Sequence, residues 1–518
     1  MKHFTRGWPV PLSRAQDWSE QLVPGRNKRV LHVRLPCWKI FPSGVVYLAN
    51  HLRTEGYDNQ FILDLALTSP SKQQRELRRH IRQFDPDVIA FSWRNIQTFG
   101  PHDDSPALDA VLKYDYSDRL LDKINSIYSA SHMVFDHIWQ IQRNLRFIQT
   151  ASKIAPKSQV VVGGPAFSEF AELLIRHLPE NVVGVIGEGE SALTQIVSGG
   201  DLTRENVVFV RDGEMKRYYS GAYYDLASAG PVDFKYIAKI FPEFDQYTNG
   251  FIGLQTKRGC PYSCIFCIYN ILEGQKVRYK RTDVVADEVE QLNRDFGVNK
   301  VWFTDSQFCS SSQTVRHAET LLDEIIERKL KIGWTGYIRL DNLTKSFAEK
   351  ALKSGIMSFE LSFTGSQKMI DEMRLGYRLS RQLDKFQMIR DLGYRGQQIK
   401  LYIPLNAPGE ASETLLETIN ACKTLYKLFG VQNVVPWIFF LAIQPGTELE
   451  RRLIKTGYLK ADYNPLSYNP MAIKRLLYNP KPLGPIVARA HLKAKRESSV
   501  GNVGTQTLRE LEKAIVMS

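Results

Sequence analysis

Two separate runs of short apolar strands alternating with amphipathic helices divide this chain, and that alternation is the pattern of parallel sheets flanked by helices. The first run holds the strands RVLHVRL (29–35), NQFILDLAL (59–67), DVIAFSW (87–93), QVVVGG (159–164) and VVGVIG (182–187). Between them lie VVYLANHLRTEG (45–56), which has helical spacing and stops at Gly56, a basic helix over 71–83, AFSEFAELLIRHL (166–178) and ESALTQIVSG (190–199). A helical insertion over 104–155 interrupts this run. The second run holds FIGLQT (251–256), KVWFTD (300–305), GWTGYIR (333–339), SFELSFT (358–364), IKLYIPL (399–405) and VVPWIFF (434–440). Six parallel strands are too few to close an eight-stranded barrel, so the spacing predicts a partial (β/α)6 barrel. The expected organisation is an N-terminal arm (1–28), a Rossmann-like, flavodoxin-like α/β domain (29–200), a linker (201–250), the partial barrel (251–454) and a mostly helical C-terminal segment (455–518).

At 518 residues the chain is too long for one hydrophobic core. No stretch of 18 or more apolar residues is present, so no membrane-spanning helix is expected. The opening MKHFTRGWPVPLSR has basic residues but no apolar run behind them, so it is not read as a secretory signal and a cytoplasmic location is expected. Lys plus Arg (68) exceed Asp plus Glu (55), a formal charge of +13. The excess is scattered except in RELRRHIRQ (75–83) and ARAHLKAKR (488–496), which read as a solvated helix face and a basic tail, with anionic cofactors or substrates as the alternative.

Six cysteines in so long a chain are not a disulfide framework. Three of them, Cys260, Cys264 and Cys267, crowd into KRGCPYSCIFCIYN (257–270), while Cys37, Cys309 and Cys422 stand apart. Three thiolates in one tight loop after a strand can face a [4Fe–4S] cubane and leave its fourth iron open to chelate a small molecule. Gly259 permits close backbone approach and Pro261 stiffens the turn. The rival is zinc, but a structural zinc site wants four protein ligands, and this loop has neither a His nor a second Cys pair nearby.

CPYSCIFC on the first strand of a partial α/β barrel resembles the radical S-adenosylmethionine (SAM) enzymes. VWFTDSQF (301–308), GYIRLDNL (336–343), SFELSFTGS (358–366) and IQPGTELERRLIKTGYL (443–459) continue that resemblance over roughly 200 residues. It implies that Phe266 packs against the adenine, that Glu360 and Ser362 lie near the amino-acid or ribose part of SAM, and that Asp305 and Arg339 line the cavity. Glu360 departs from the commonest form of its motif, with Phe359 where a Gly usually precedes the Glu. Asp305 and Arg339 read equally well as salt-bridge partners at strand ends.

RVLHVRLPCWKIFPSGVVYLANHLRTEGYDNQFILDL, GGPAFSEF (163–170) and VIGEGESAL (185–193) resemble the cobalamin (B12)-binding domain found ahead of many radical SAM enzymes. The resemblance implies cobalamin contacts from Ser43, Gly44, Ser92, Trp93, Gly163, Gly164, Gly187, Glu188 and Gly189. A Gly-Glu-Gly opening a helix suits a nucleotide tail, because free N–H groups and the helix dipole point at it. The alternatives are another nucleotide or a domain with no ligand; the Gly-x-Gly-x-x-Gly of a dinucleotide site is missing after the first strand. The Asp-x-His-x-x-Gly of the B12 mutases is missing too, since residues 36–44 contain no His and His32 sits within a strand. Cobalt bound without a protein His is therefore expected, with SWRNIQ (92–97) beneath the corrin and Trp93, Arg94 or Gln97 as candidates to cover the lower face.

By that resemblance the cluster reduces SAM to a deoxyadenosyl radical, which takes hydrogen from an unactivated carbon, and methylcobalamin donates a methyl group there. The expected activity is cobalamin-dependent C-methylation of a small or medium-sized metabolite. The runner-up is an oxidation or cyclisation with no methyl transfer, as in the similar anaerobic cyclase of bacteriochlorophyll synthesis. Methylthiolation of tRNA and a non-enzymatic cobalamin sensor or iron–sulfur carrier are more remote. The first of these needs further N-terminal cysteines, and only Cys37 is there. Without auxiliary-cluster cysteines, electrons are expected from an external flavodoxin or ferredoxin. No nucleic-acid partner is expected. The insertion 104–155 and the segment 455–518, with Tyr468 and Tyr478, are the expected selectivity elements.

Overall fold

A computed structural model describes residues 27–96, 106–499 and 501–517. The expected N-terminal arm, apart from Asn27 and Lys28, lies outside the described residues, as do Gln97 and the first two positions of the helical insertion. The chain divides into two compact units, one holding the residues up to 95 with 143–224 and 232–246, the other holding 96–142, 225–231 and 247–518.

The first unit is built on strands β1 (Val30–Arg34), β2 (Gln60–Asp64), β3 (Val88–Ser92), β4 (Gln159–Gly163), β5 (Val182–Val185), β6 (Val207–Arg211) and β7 (Glu214–Tyr218). Their order is β2-β1-β3-β4-β5-β6-β7, and β1 to β5 are parallel in the 2-1-3-4-5 order of a flavodoxin-like sheet. β1 is buried at all five positions, which explains why it reads as a continuous apolar run rather than an alternating one.

The stretch expected to be a linker is partly built into this sheet. β6 and β7 form an antiparallel hairpin that extends it past β5. Its turn is Asp212–Gly213, with φ of 53° and 75°, the left-handed pair that a two-residue Asp-Gly hairpin requires. The Asp233 carboxylate caps the helix Phe234–Ile240 by accepting from the Tyr236 N–H, and it pairs with Arg53 of the helix Ser43–Thr54.

Buried polar groups on β1 are partnered. His32 is bonded to Gln60 Oε1 at 2.7 Å, a packed histidine as its place in a strand suggested. Burial, only partly opposed by that bond, pushes its pKa down from 6.5 to about 4. A histidine kept neutral in the fold but free to charge when unfolded stabilises fully above pH 6.5, and the benefit is lost as pH falls towards 4. The urea midpoint is therefore expected to fall between pH 7 and pH 5, with His32 contributing about 2 kcal/mol over that range. His32→Asn, neutral at both pH values, should flatten that dependence, and an unchanged slope would contradict this assignment.

The second unit carries β8 (Ile252–Leu254), a short antiparallel ribbon of β9 (Lys257–Arg258) and β10 (Arg278–Tyr279), then β11 (Lys300–Phe303), β12 (Gly333–Tyr337), β13 (Ile356–Ser362), β14 (Gln398–Leu405), β15 (Val434–Ala442) and β16 (Leu477–Tyr478). β8 and β11 to β15 lie parallel in chain order, the six strands of the expected partial barrel, and β16 adds antiparallel to β15. Tyr478 is thus part of the sheet. Helices lie between successive strands, as in Thr282–Phe296 and Ser312–Glu327, the latter closed by a Ser311–Thr314 capping box.

The C-terminal segment is mostly helical, ending in Leu483–Glu497 and Val503–Val516. Gly504 packs so close to β15 that a Cβ there would lie 1.9 Å from the Pro436 carbonyl oxygen. The basic residues of this end are largely paired, Lys493 with Glu510, Lys495 with Asp109 and Arg496 with Asp122. Among the described residues no helix is long and apolar enough to cross a membrane.

Candidate active site

The cysteine loop leaves the carboxyl ends of β8 and β9 and is held from several sides. Asp305, which follows β11, accepts from the Thr256 N–H (2.8 Å), the Thr256 hydroxyl (2.5 Å) and the Lys257 N–H (3.2 Å). Gly259 N donates to Glu273 Oε2 at 3.1 Å and Cys260 N to the Gly274 carbonyl at 3.0 Å. Gly259 has φ +91°, and a Cβ there would lie 2.2 Å from the Lys276 carbonyl oxygen, so only glycine fits. Ile265 N donates to Met373 O, and Leu449 N donates to Ile265 O.

Arg339 is the other brace. Its guanidinium lies 3.8 Å over the Tyr262 ring, inside the cysteine loop, and donates to the Leu375 (2.6 Å) and Gly376 (2.7 Å) carbonyls. Gly376 closes on the same ring, since a Cβ there would meet Tyr262 Cδ1 at 2.8 Å. The Tyr262 hydroxyl donates to the Ser310 carbonyl.

Cys260 is 8% exposed, and Cys264 and Cys267 are half-buried. Burial first, then the neighbouring Cys260 thiol, pushes Cys264 up to about 11, against the pull of Arg339. Burial pushes Cys267 up to about 12, helped by Cys264 and Cys260 and opposed by a backbone hydrogen bond. The apo loop therefore keeps these two thiols protonated, and thiolates form there only when bound iron supplies compensating positive charge. Among the described residues no three His, Cys, Asp or Glu side chains converge on a single-ion site. Three sulfurs on one loop fit a cubane, where each thiolate takes a different iron and one iron is left open, better than a structural zinc ion that wants four protein ligands.

Three residues expected to contact SAM or line its cavity have other partners here. Asp305 is fully buried with its carboxylate engaged by the loop, because the chain leaving β8 presents two N–H groups beside it. Arg339 is committed to backbone carbonyls and the Tyr262 ring rather than to an open cavity. Glu360 is fully buried and accepts from Lys400 (2.9 Å), Tyr402 (2.8 Å), Ser358 (2.9 Å) and Thr335 (3.3 Å). Burial and the adjoining Tyr337 and Glu360 push the Tyr402 phenol far up, so it stays a donor. Ser362 is half-buried at the carboxyl end of β13, in register with Tyr402. Phe266 faces Phe439 edge-on, ring centres 6.4 Å apart, one residue before the third cysteine. Lys400, Tyr402 and Tyr262 were not singled out from the sequence. The spacing Glu-x-Ser on β13 beside Lys-x-Tyr on β14 is the signal that could have found the first two.

In the first unit every residue expected to touch cobalamin lies at the carboxyl ends of parallel strands or opens a following helix, the edge where a flavodoxin-like sheet takes its ligand. Gly44 is exposed, and a Cβ there would meet nothing within 4 Å, so the start of the helix Ser43–Thr54 is open. Gly163 ends β4 and Gly164 follows it; Gly164 has φ +100°, and a Cβ there would lie 2.7 Å from the Trp93 carbonyl oxygen. Trp93 is 1% exposed, while Arg94 is exposed. Ser92 is half-buried, its carbonyl accepting from Leu35 N. Gly187 has φ +79° and donates to Ser168 Oγ, Glu188 accepts from Tyr224 N, and Gly189 caps the helix Glu190–Ser198. The loop after β1, which lacks a His, is pinned by a buried ion pair of Arg34 and Asp64 (2.8 Å), and Arg34 also donates to Cys37 Sγ and the Trp38 carbonyl. Small residues and free backbone at this edge fit a large, flat, phosphate-tailed cofactor.

Comparison with known proteins agrees with this geometry. Residues 254–422 match the family model of the radical SAM superfamily. An uncharacterized methyltransferase of Pyrococcus horikoshii is 25% identical over 319 residues, which is 61% of this chain and 58% of that protein. The radical SAM methyltransferase TsrM of Kitasatospora setae, solved with tryptophan and a SAM analogue bound, superposes with a TM-score of 0.62 at 19% identity, over 83% of this chain and 76% of that one. The cobalamin-dependent SAM radical enzyme OxsB, solved with aqua-cobalamin and SAM, superposes with a TM-score of 0.65 at 14% identity, over 95% of this chain and 71% of that one. With a three-cysteine loop after the first strand of a partial barrel matched to the radical SAM superfamily over residues 254–422, and a flavodoxin-like unit ahead of it in sequence, this chain is similar to the radical SAM enzymes that carry a cobalamin-binding domain and shares their fold.

Proposed function

We propose that this protein is a cobalamin-dependent radical SAM C-methyltransferase acting on a small or medium-sized metabolite. The observation that carries the reading is the cysteine loop: three buried or half-buried thiols on one turn, braced by Asp305 and Arg339. When bound, the reduced cluster supplies an electron that cleaves SAM to a carbon-centred radical, and cobalamin supplies the methyl group. The chain does the rest. Cys260, Cys264 and Cys267 hold the cluster, and Phe266 and Ser362 stand at the carboxyl end of the barrel, where SAM would lie. Gly44, Gly164 and the Gly187–Gly189 turn offer backbone to cobalamin.

Electrons come from outside on this reading. Cys309 is fully buried and Cys422 is 1% exposed, and neither is read as a ligand of a second cluster. A flavodoxin or ferredoxin is the proposed donor and the cytoplasm the proposed location. With a formal charge of +13 the chain suits an acidic carrier. Relatives whose names state methyl transfer to carbon, such as a tryptophan 2-C-methyltransferase of Streptomyces laurentii (25% identical over 192 residues), support the choice of reaction.

The test is anaerobic turnover with cobalamin, SAM and a chemical reductant, followed by mass analysis of products from a metabolite panel. A gain of one methylene unit together with deoxyadenosine or S-adenosylhomocysteine release is expected. Product formation with no added carbon would overturn methyl transfer in favour of oxidation or cyclisation.

A further inference from the structure

The two faces of the second unit's sheet are filled differently. Positions turned towards the surrounding helices, such as Val301, Phe303, Trp334, Phe359, Leu361 and Ile438, are at most 1% exposed. Alternate positions on the same strands, Trp302, Tyr337, Tyr402 and Trp437, are only half-buried although their strands are central. Side chains on a strand alternate between faces, so exposure confined to one face means that face borders open space. In a closed eight-stranded barrel that space is packed with branched aliphatic side chains; here it is walled by rings.

The rings form a continuous surface. Their centres are 5.8 Å apart from Trp302 to Tyr337, 5.9 Å from Tyr337 to Tyr402 and 6.4 Å from Tyr402 to Trp437, the last pair stacked at 18°. The Nε1 of Trp437 is buried with no acceptor among the described residues. Next to Tyr402 on the same face of β14 is Lys400, its side chain 25% exposed, with one ammonium hydrogen bond, to Glu360. Glu360 is already supplied by three hydroxyl donors, which leaves Lys400 with N–H groups to offer.

We infer that this concave face is the substrate subsite and that it selects a planar aromatic ring bearing an oxygen acceptor, the ring on the Tyr402–Trp437 wall and the acceptor at Lys400. This rests on the proposed function for the identity of the site as a reaction chamber. Offset stacking and edge contacts with a π wall reward a flat ring over a saturated one of equal area. A charged donor with N–H groups beyond its one bond to Glu360 rewards an acceptor over a ring that lacks one.

The experiment is anaerobic titration calorimetry on the full chain with its cluster reconstituted and no SAM present, using indole-3-carboxylate, indole and cyclohexanecarboxylate as probes. Indole-3-carboxylate is expected to bind saturably and about tenfold more tightly than either of the others. Trp437→Leu should weaken it about tenfold, and Trp437→Phe, which keeps a ring in the wall, should restore most of that loss. Equal affinity for the saturated acid, no saturable binding of any probe, or a well-folded Trp437→Leu that binds normally would each overturn the inference. Because SAM is absent, this outcome is separate from the fate of the proposed activity. Aromatic binding without SAM cleavage sinks the reaction and spares the subsite, and SAM cleavage without aromatic binding does the reverse.

Discussion

Cys264→Ala is expected to lose both the broad visible absorption of the reconstituted cluster and the release of 5′-deoxyadenosine from SAM. Each thiolate of the loop would hold its own iron, so removing one leaves a second iron open and a cubane bound by only two sulfurs. The loss should be close to complete rather than graded. The fold should survive, because the loop is held by hydrogen bonds that do not involve the Cys264 thiol: Asp305 to Thr256 and Lys257, Gly259 to Glu273, and Ile265 to Met373. An unchanged far-ultraviolet spectrum with no cluster is the expected pair of results. Retained absorption, or retained deoxyadenosine release, would mean that Cys264 is not a ligand.

The second large effect is in the first unit. Arg34 and Asp64, side chains 2% and 0% exposed, form an ion pair at the ends of β1 and β2. Removing one member of such a pair leaves a charge in the core with no counter-charge, which typically costs about 3–5 kcal/mol. Arg34→Met should therefore lower the urea midpoint sharply, and it should also loosen the 35–42 loop that Arg34 ties down through Cys37 and Trp38. Replacing both residues, Arg34→Met with Asp64→Leu, should recover most of the stability, because no isolated charge remains. The loop contacts stay lost in the double variant. Recovery of stability without recovery of cobalamin affinity would tie the β1 loop to the cofactor; recovery of both would show that the pair serves the core alone.

Much of this fold was legible in the chain because its strands announce themselves. VLHVR and FILD are buried throughout and VIAFS is buried on one face and partly on the other, so all three read as apolar runs, and the six barrel strands recur with helical spacing between them. The hairpin of β6 and β7 escaped because it lies beyond the last βα repeat, where the rhythm stops. Its Asp212–Gly213 turn was a local hairpin signal inside a stretch that otherwise looked irregular.

The site divides along a similar line. The three cysteines are neighbours in sequence, so their common purpose is visible without the fold. What Asp305, Arg339 and Glu360 do depends on partners far along the chain: Thr256 is 49 positions from Asp305, Gly376 is 37 from Arg339, and Lys400 is 40 from Glu360. Motif position places such residues near the carboxyl end of the barrel, but only the folded chain shows that their polar atoms already have partners. Trp93 is a similar case. Its place after β3 suggests a residue beneath the corrin, and the folded chain adds that its side chain is 1% exposed and that Gly164 packs against its backbone.

The most direct measurement is electron paramagnetic resonance of the anaerobically reconstituted and reduced chain, recorded before and after adding SAM. A cluster with one iron free of protein ligands should change its spectrum when the amino and carboxylate groups of SAM bind that iron. A reduced cluster whose signal ignores SAM, or a chain that takes up neither iron nor sulfide, would contradict the account at its root.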